Sequence, residues 1–575
     1  MKKCPNCDKQ KKINTLYLTG FILLVAAFLI VAFSVISILW VSNEIRVLLF
    51  LLGIACYISG LVFLIVGVVR SWKNNHCASK LAIAGIIGVC LTVLFICFGY
   101  SSLYYITQPE ETPPTTTDIE PDSIGGNDWE TGKEPWEIGT DVTEPVMHTM
   151  TLGSGPETIN LWSYTDEVPR IVNQYIKQNP EFGEKYTVEC TIIVTDDGHY
   201  QNDLDKALAA GGDSTPDIYV TEYAFAEKYT QGNMAQYAMT YKDLGIDVDT
   251  KIKEADIAKY TVDIGTRDGE VVALGYESTG GVMIYNAAIA KDVFGTDDPD
   301  EIEKITGAGS GSWDKFFEAA EKLKEKGYAA VSSPSDIWSV CEKSADKSWI
   351  VEDQLYIDPK REIYLDLAKK IKDNDYSNNT RSWSDKWLGD MRGEGDRKVF
   401  AYFGPSWFVN YVMEFFSSPT ETRTYGQWRV CEAPVGFFWG GSWLHVNKNT
   451  DKREGVAELI EWITLDTSET GFQYLWANGL VDWDNDPETK TYKQSVASYV
   501  VMAKSDGKMD FCGGQDTFPV FAKANNISSG VVISERDERI SDYFEEYADK
   551  YAEGKLNRFA ALEKFRTKVV YNVSY

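Results

Sequence analysis

The stretch FFWGGSWLHVNKN, residues 437–449, sets Trp439 and Trp443 on either side of a Gly-Gly-Ser turn and then runs into an alternating, strand-like segment. Indole rings beside a flexible turn offer flat apolar faces rather than acid–base chemistry. Trp162, Tyr164, Tyr223, Trp338 and Trp407 also fall in or beside predicted loops with polar neighbours. Pyranose rings expose C–H faces that pack on such rings, while their hydroxyls need a few fixed carboxylate, amide or backbone partners. For each ring taken singly, the competing reading is a buried core residue. Trp313 and Trp462 lie on amphipathic helical patterns and are assigned to packing.

Other chemistry is poorly represented. The sequence holds no G-x-x-x-x-G-K-[ST] loop, and GAGSGSW at 307–313 has its glycines at the wrong spacing for a dinucleotide turn. It has four histidines and neither H-E-x-x-H nor G-x-S-x-G, which argues against a metalloprotease or a serine hydrolase. With 85 acidic residues, some carboxylate pair must lie at glycosidase spacing, so such a pair carries no signal by itself. Cys4 and Cys7 in CPNC form half of a tetrahedral zinc site, and His76 and Cys77 or a second chain would have to complete it. A metal-free remnant is the alternative; no other cofactor is expected.

The elements that would position the aromatic residues alternate. TINLWSYTDE reads as a strand, VPRIVNQYIKQNPEF as a helix with Val168, Ile171, Val172 and Tyr175 on one face, TVECTIIV as a strand, YQNDLDKALAAGG as a helix and PDIYVTE as a strand. This alternation predicts an α/β fold with its sheet covered on both faces. Phe316, Ala320 and Leu323 mark a helix that Gly327 stops, and Val456, Leu459, Ile460 and Ile463 mark another.

Ahead of this lie three apolar runs, 16–40, 47–69 and 81–105, with no charged side chain. Each has the roughly 20 residues needed to cross a bilayer as a helix. Lys2, Lys3, Lys9, Lys11 and Lys12 precede the first run, and Arg70, Lys73 and Lys80 separate the second from the third. By the positive-inside bias, these are cytoplasmic and everything after the third run is extracellular. The expected plan is a cytosolic segment 1–15, three transmembrane helices within 16–105, a disordered acidic linker 106–156 and a two-lobe domain 157–575. The linker is rich in Thr, Pro, Gly, Asp and Glu, with Lys133 its only Lys or Arg. The net charge of −29 argues against nucleic acid as a partner.

The order of INLWSYTDE, LDKALAAGGDSTPDIYV, DGEVVALGYESTGGVMIYN, GSWDKFFEAAEKLKEKG, FAYFGPSW, EAPVGFFWGGSWLHVNKN and CGGQDTFPVFAKA resembles the family 1 extracellular solute-binding proteins of carbohydrate ABC importers, over essentially all of 157–575. The resemblance implies a two-lobe periplasmic-binding-protein type II fold. Its lobes would be joined by crossings near Gly275–Ser278 and Phe438–Ser442, with the ligand held between them. It implies a carbohydrate ligand, ABC permease subunits as partners and no covalent chemistry. Carried over by position, Trp407 looks like the stacking tryptophan and Trp338 like a second platform. Tyr164, Asp166 and Glu167 match the loop after the first strand, Glu222 and Tyr223 the loop after PDIYV, Glu277 and Ser278 the first crossing, and Asp516 a hydroxyl partner. Gly440 and Gly441 would give the second crossing its backbone freedom, with Trp439 and Trp443 facing the cleft or merely covering the hinge. Membrane anchoring departs from the family pattern and keeps two alternatives open, a ligand sensor and, with less support, a surface glycosidase.

Overall fold

The computed structural model describes residues 147–572, apart from 196–197, 213–214, 417–423, 484–490 and 528–534. The three apolar runs, Cys4, Cys7, His76 and Cys77 lie outside the described residues, and among the described ones no helix is long and apolar enough to cross a membrane.

The described chain builds two lobes around separate sheets. The first sheet contains β1 (Met147–Gly153), β2 (Glu157–Ser163), β3 (Tyr186–Ile193), β4 (Ile218–Glu222), β5 (Ala273–Gly275) and β9 (Ser442–Val446), ordered β1-β3-β2-β4-β9-β5. Strands β2, β3 and β4 run parallel; β1, on the edge, and β9, between β4 and β5, are antiparallel to their neighbours. The second sheet holds β6 (Val282–Asn286) between β7 (Ala401–Gly404) and β8 (Trp428–Glu432), both antiparallel to it.

Helical periodicity is realised as burial. Helix α1 (Glu167–Gln178) buries Val168, Ile171, Val172 and Tyr175 against the first sheet. Helix α3 (Asp314–Glu325) buries Phe316, Ala320 and Leu323 in the second lobe, and α5 (Arg453–Thr464) buries Val456, Leu459, Ile460 and Ile463 in the first. Each fully buried apolar side chain of this size contributes about 1.5–3 kcal/mol of transfer free energy. Trp313 and Trp462 are both core residues. The remaining helices used below are α2 (Tyr223–Thr230), α4 (Ser335–Lys343) and α6 (Glu535–Ala552).

One boundary needs correction. Strand β1 falls inside the stretch expected to be linker, and seven residues from Met147 to Gly153 pair with β3. Alternating Met, Thr and Leu side chains give it a face, with Leu152 buried and Met150 packed on the core, so the folded part begins about ten residues earlier than composition suggests. Composition averages over the linker and hides this short alternation.

The chain passes between the sheets at the two expected places. Residues 276–281 join β5 to β6, and residues 433–441 join β8 to β9. They lie side by side: Gly280 bridges to Phe438, Gly281 N–H donates to the Phe437 carbonyl at 2.8 Å, and Trp439 N–H to the Thr279 carbonyl at 2.9 Å. A third passage follows Ser505, since Val501 and Met502 pack in the first lobe while Met509, Phe511 and Cys512 pack in the second.

Candidate functional site

Between the lobes, beside these crossings, lies a cavity of about 620 Å³. One side is the carboxyl end of β4 and the start of α2, which bring Glu222, Tyr223 and Ala224; the other is α4, the loop at 381–383 and α6. Helix α2 of the first lobe packs directly on α6 of the second. Trp439 and Gly440, from the second crossing, form the corner where the two sides meet.

At that corner the rings form a connected group. Trp407 Nε1 donates to the Trp439 carbonyl at 3.0 Å, and the two indoles meet edge to face with centroids 5.1 Å apart. Trp383 meets Trp439 in the same manner at 5.9 Å, and both line the cavity. Trp407 is half-buried one layer behind and heads a π-helical turn, Phe408–Glu414, in which the Phe415 N–H reaches the Asn410 carbonyl five residues back. Such wide turns are often retained at functional sites. Trp383 has φ of +67°, a left-handed backbone that a bulky residue rarely adopts.

The carboxylates next to the first crossing form a second group. Glu222 caps α2, accepting the Ala224 N–H at 2.6 Å. Glu167, at the start of α1, accepts the Tyr276 hydroxyl, and Tyr164 Oη lies 2.7 Å from Ser442 Oγ. Burial pushes the Glu167 carboxyl up to about 7. Burial, then the charges of Glu167 and Glu222, also raises Glu277 well above the ordinary carboxylate range. These groups stand at the carboxyl ends of β2 and β4 and on the crossing, the edge at which open α/β sheets bind ligands.

The other expected site residues are placed differently. Asp166 pairs with Arg170 at 2.9 Å on the outer turn of α1. Ser278 is fully buried and accepts from Asn525 Nδ2 at 2.5 Å, which ties down the crossing. Tyr223 borders the cavity, but its ring is buried edge-on against Phe438 at 4.6 Å. Trp338 also borders it, with its indole stacked on Phe544 at 5.2 Å in the second core. Trp443 is 1% exposed, and its Nε1 donates to the Thr261 carbonyl at 2.9 Å, so of the two readings of this ring the hinge cover describes it. Gly441 has φ of +118°, and its carbonyl accepts the Tyr223 N–H, so it shapes the crossing rather than the cavity lining. Asp516 is exposed on a short hairpin with Lys508, away from the cavity lining, as is Trp162, which packs among Tyr200 and Phe225.

The second lobe adds residues that sequence reasoning missed: Ser335, Ser339, Glu342, Lys343, Arg381, Trp383, Asp542, Glu545, Glu546 and Asp549. Lys343 pairs with Glu342 at 2.9 Å and lies 5.2 Å over the Trp439 ring. Burial alone would raise Glu342, but Lys343 and Arg361 hold it below its ordinary value. Burial lifts Glu545 to about 7 and Asp549 to about 6.

The chain belongs to the family of bacterial extracellular solute-binding proteins, whose model matches residues 171–486. Its fold is similar to that of a family 1 extracellular solute-binding protein, at TM-score 0.57 and 17% identity over 72% of this chain and 99% of that one. It is also similar to the galacto-N-biose-/lacto-N-biose I-binding protein of the Bifidobacterium longum ABC transporter, solved with lacto-N-biose, at 0.51 and 17% over 73% and 98%. A third similar structure is the sugar-binding protein MalE of Xanthomonas citri, at 0.50 and 14% over 72% and 96%. No curated protein matches the chain. The family and these structures are of binding proteins, and the two-lobe α/β architecture is theirs.

Proposed function

We propose that this chain is a membrane-tethered extracellular protein that captures a carbohydrate, an oligosaccharide, between its lobes and delivers it unchanged to an ABC importer. The observation that carries this reading is the inter-lobe cavity of about 620 Å³, with indoles at its corner and the Glu222 carboxylate at a strand end in its lining. That volume is in the range of small-ligand sites, and rings with fixed acceptors are what a sugar's two surfaces require. Trp439 and Trp383 supply the faces, Trp407 backs them, and Glu222 supplies a hydroxyl partner; Glu167 and Glu277 are not among the residues lining the cavity. A ligand touching both sides favours the closed arrangement, and closure is the signal a permease reads.

The tether consists of the three apolar runs and the acidic linker, now 106–146. After extraction of membranes at alkaline pH the full chain stays with the membrane, whereas a chain starting at residue 109 is released; release of both removes the tether from the proposal. For capture, the full-length chain in detergent is melted in the presence of mono- and oligosaccharides. A bound sugar at about 100 times its Kd stabilises by about 2.7 kcal/mol and raises the melting temperature. A panel in which no carbohydrate moves the transition overturns the reading.

A further inference from the structure

Helix α6 carries Asp542, Glu545, Glu546 and Asp549 into the cavity lining. Their spacing of three and four residues puts them on one helical face, where like charges destabilise the helix that bears them. Glu546 is compensated, by Lys550 and Lys568, each at 2.6 Å. Glu545 and Asp549 form no ion pair among the described residues, although both are half-buried. Across the cavity stands Glu222 of the first lobe. The lining thus holds six carboxylates against Lys343 and Arg381. Of these two cations, Lys343 is engaged by Glu342 and Arg381 is exposed. Two walls of the same charge oppose one another when the lobes close, and the field between low-dielectric walls is strong.

We propose that the cleft selects a positively charged carbohydrate, one bearing a free amine, over its neutral counterpart and excludes acidic sugars. The inference rests on the reading of this cavity as a sugar site. An ammonium group lying between Glu222 and the acidic face of α6 bridges the two walls and relieves the repulsion that closure creates. It also gains the aromatic ring of Trp383, which attracts cations as well as sugar C–H groups, whereas the Trp439 ring already has the Lys343 ammonium 5.2 Å over it. A uronate in the same place adds a further negative charge to both walls. The local crowding supports this: burial, with the neighbouring carboxylates Asp549 and Asp542, already raises Glu545, and the Ser335 hydrogen bond and Lys343 only partly oppose it.

The test uses matched probes with the full-length chain in detergent at pH 7.5: glucosamine, glucose and glucuronate; galactosamine, galactose and galacturonate; and the β-1,4 disaccharides of glucosamine and of glucose. Calorimetric titration is expected to give the amine of a matched set about tenfold tighter binding than the neutral sugar, with no heat from the uronates. Raising the salt to about 0.5 M shrinks the amine preference, but by less than for exposed charge pairs, because half-buried pairs are only partly screened. The double variant Glu545→Gln/Asp549→Asn reduces the amine-to-neutral ratio to below about three. Equal affinities within a set, a preference for the uronate, or no binding by any amine overturns the charge selection. If neutral sugars of the wider panel still bind, carbohydrate capture survives that result; if nothing in the panel binds, capture itself fails.

Discussion

On the first-lobe side of the cleft Glu222 is held by the Ala224 N–H, and beside the first crossing long-range bonds join the Tyr276 hydroxyl to Glu167 and Tyr164 to Ser442. On the second-lobe side they are side chains on the faces of α4 and α6 and on the loop at 381–383, several of them half-exposed and matched only in part by lysines. The first wall is built from strand ends and a crossing, so its geometry is fixed by the sheet. The second depends on helix-face side chains that can be exchanged without altering the fold. On the proposed function, closure and register would fall to the first wall and ligand selection to the second. The corner they share is Trp439.

The largest effect is therefore expected there. Trp439→Ala removes a ring that both walls use and weakens sugar binding tenfold or more, about 1.5–3 kcal/mol, with the fold retained. Trp407→Ala, one layer back, loses the Nε1 bond to the Trp439 carbonyl and should cost about half as much. Titration of both variants with the tightest sugar of the panel decides the order. A greater loss at Trp407 would make it the stacking face and move the corner behind the cavity seen here.

Gly441 tests the first wall's role in register. At φ of +118° an alanine is strained, and its Cβ would lie 3.0 Å from the Trp443 ring. Gly441→Ala should destabilise the two-lobe domain by about 1–3 kcal/mol and lower its melting temperature by a few degrees. Affinity should fall by less than it does for Trp439→Ala. A variant that melts like the parent would show that the crossing has another backbone to adopt.

How much of this was legible in the sequence follows the same division. Glu167, Glu222 and Glu277 could be placed through the family resemblance, which sets the first two in loops after strands and the third on a crossing, and strand ends converge on one edge of an α/β sheet. The second wall could not. Glu342, Glu545 and Asp549 look like solvated helix positions; the packing of α2 on α6 turns the α6 face inward, and Glu342 is buried on α4 beside Lys343. Trp383 gave no sign because its left-handed backbone has no residue signature such as Gly or Asn. Trp443 illustrates the reverse difficulty: its turn-side position is the same as that of Trp439, yet strand alternation carries its ring under the sheet to Thr261. Strand β1 was hidden by the acidic composition around it.

The smallest expected effect separates the walls by pH. Burial raises Glu167 from 4.5 to about 7, so between these values the unfolded chain has released a proton that the folded chain still holds. Stability from this group is fully present below about pH 4.5 and is lost as the pH rises through about 7. The Tyr276 hydroxyl and Arg170 favour the ionised form of Glu167 while Asp166 opposes it, and Glu277, raised by burial and the same crowding, shifts stability in the same direction. Glu167→Gln keeps an acceptor for the Tyr276 hydroxyl and removes the titration. Its melting temperature should vary less across that range than the parent's and exceed it at pH 8. Glu545→Gln on the second wall flattens the profile in the same sense, because burial raises that carboxyl to about 7 as well. A bound aminated sugar should reproduce the effect of Glu545→Gln, since a cation beside Glu545 favours its ionised form, and should leave the Glu167 contribution in place. If the ligand flattened both contributions equally, the two walls would titrate as one group and the division between closure and selection would be lost.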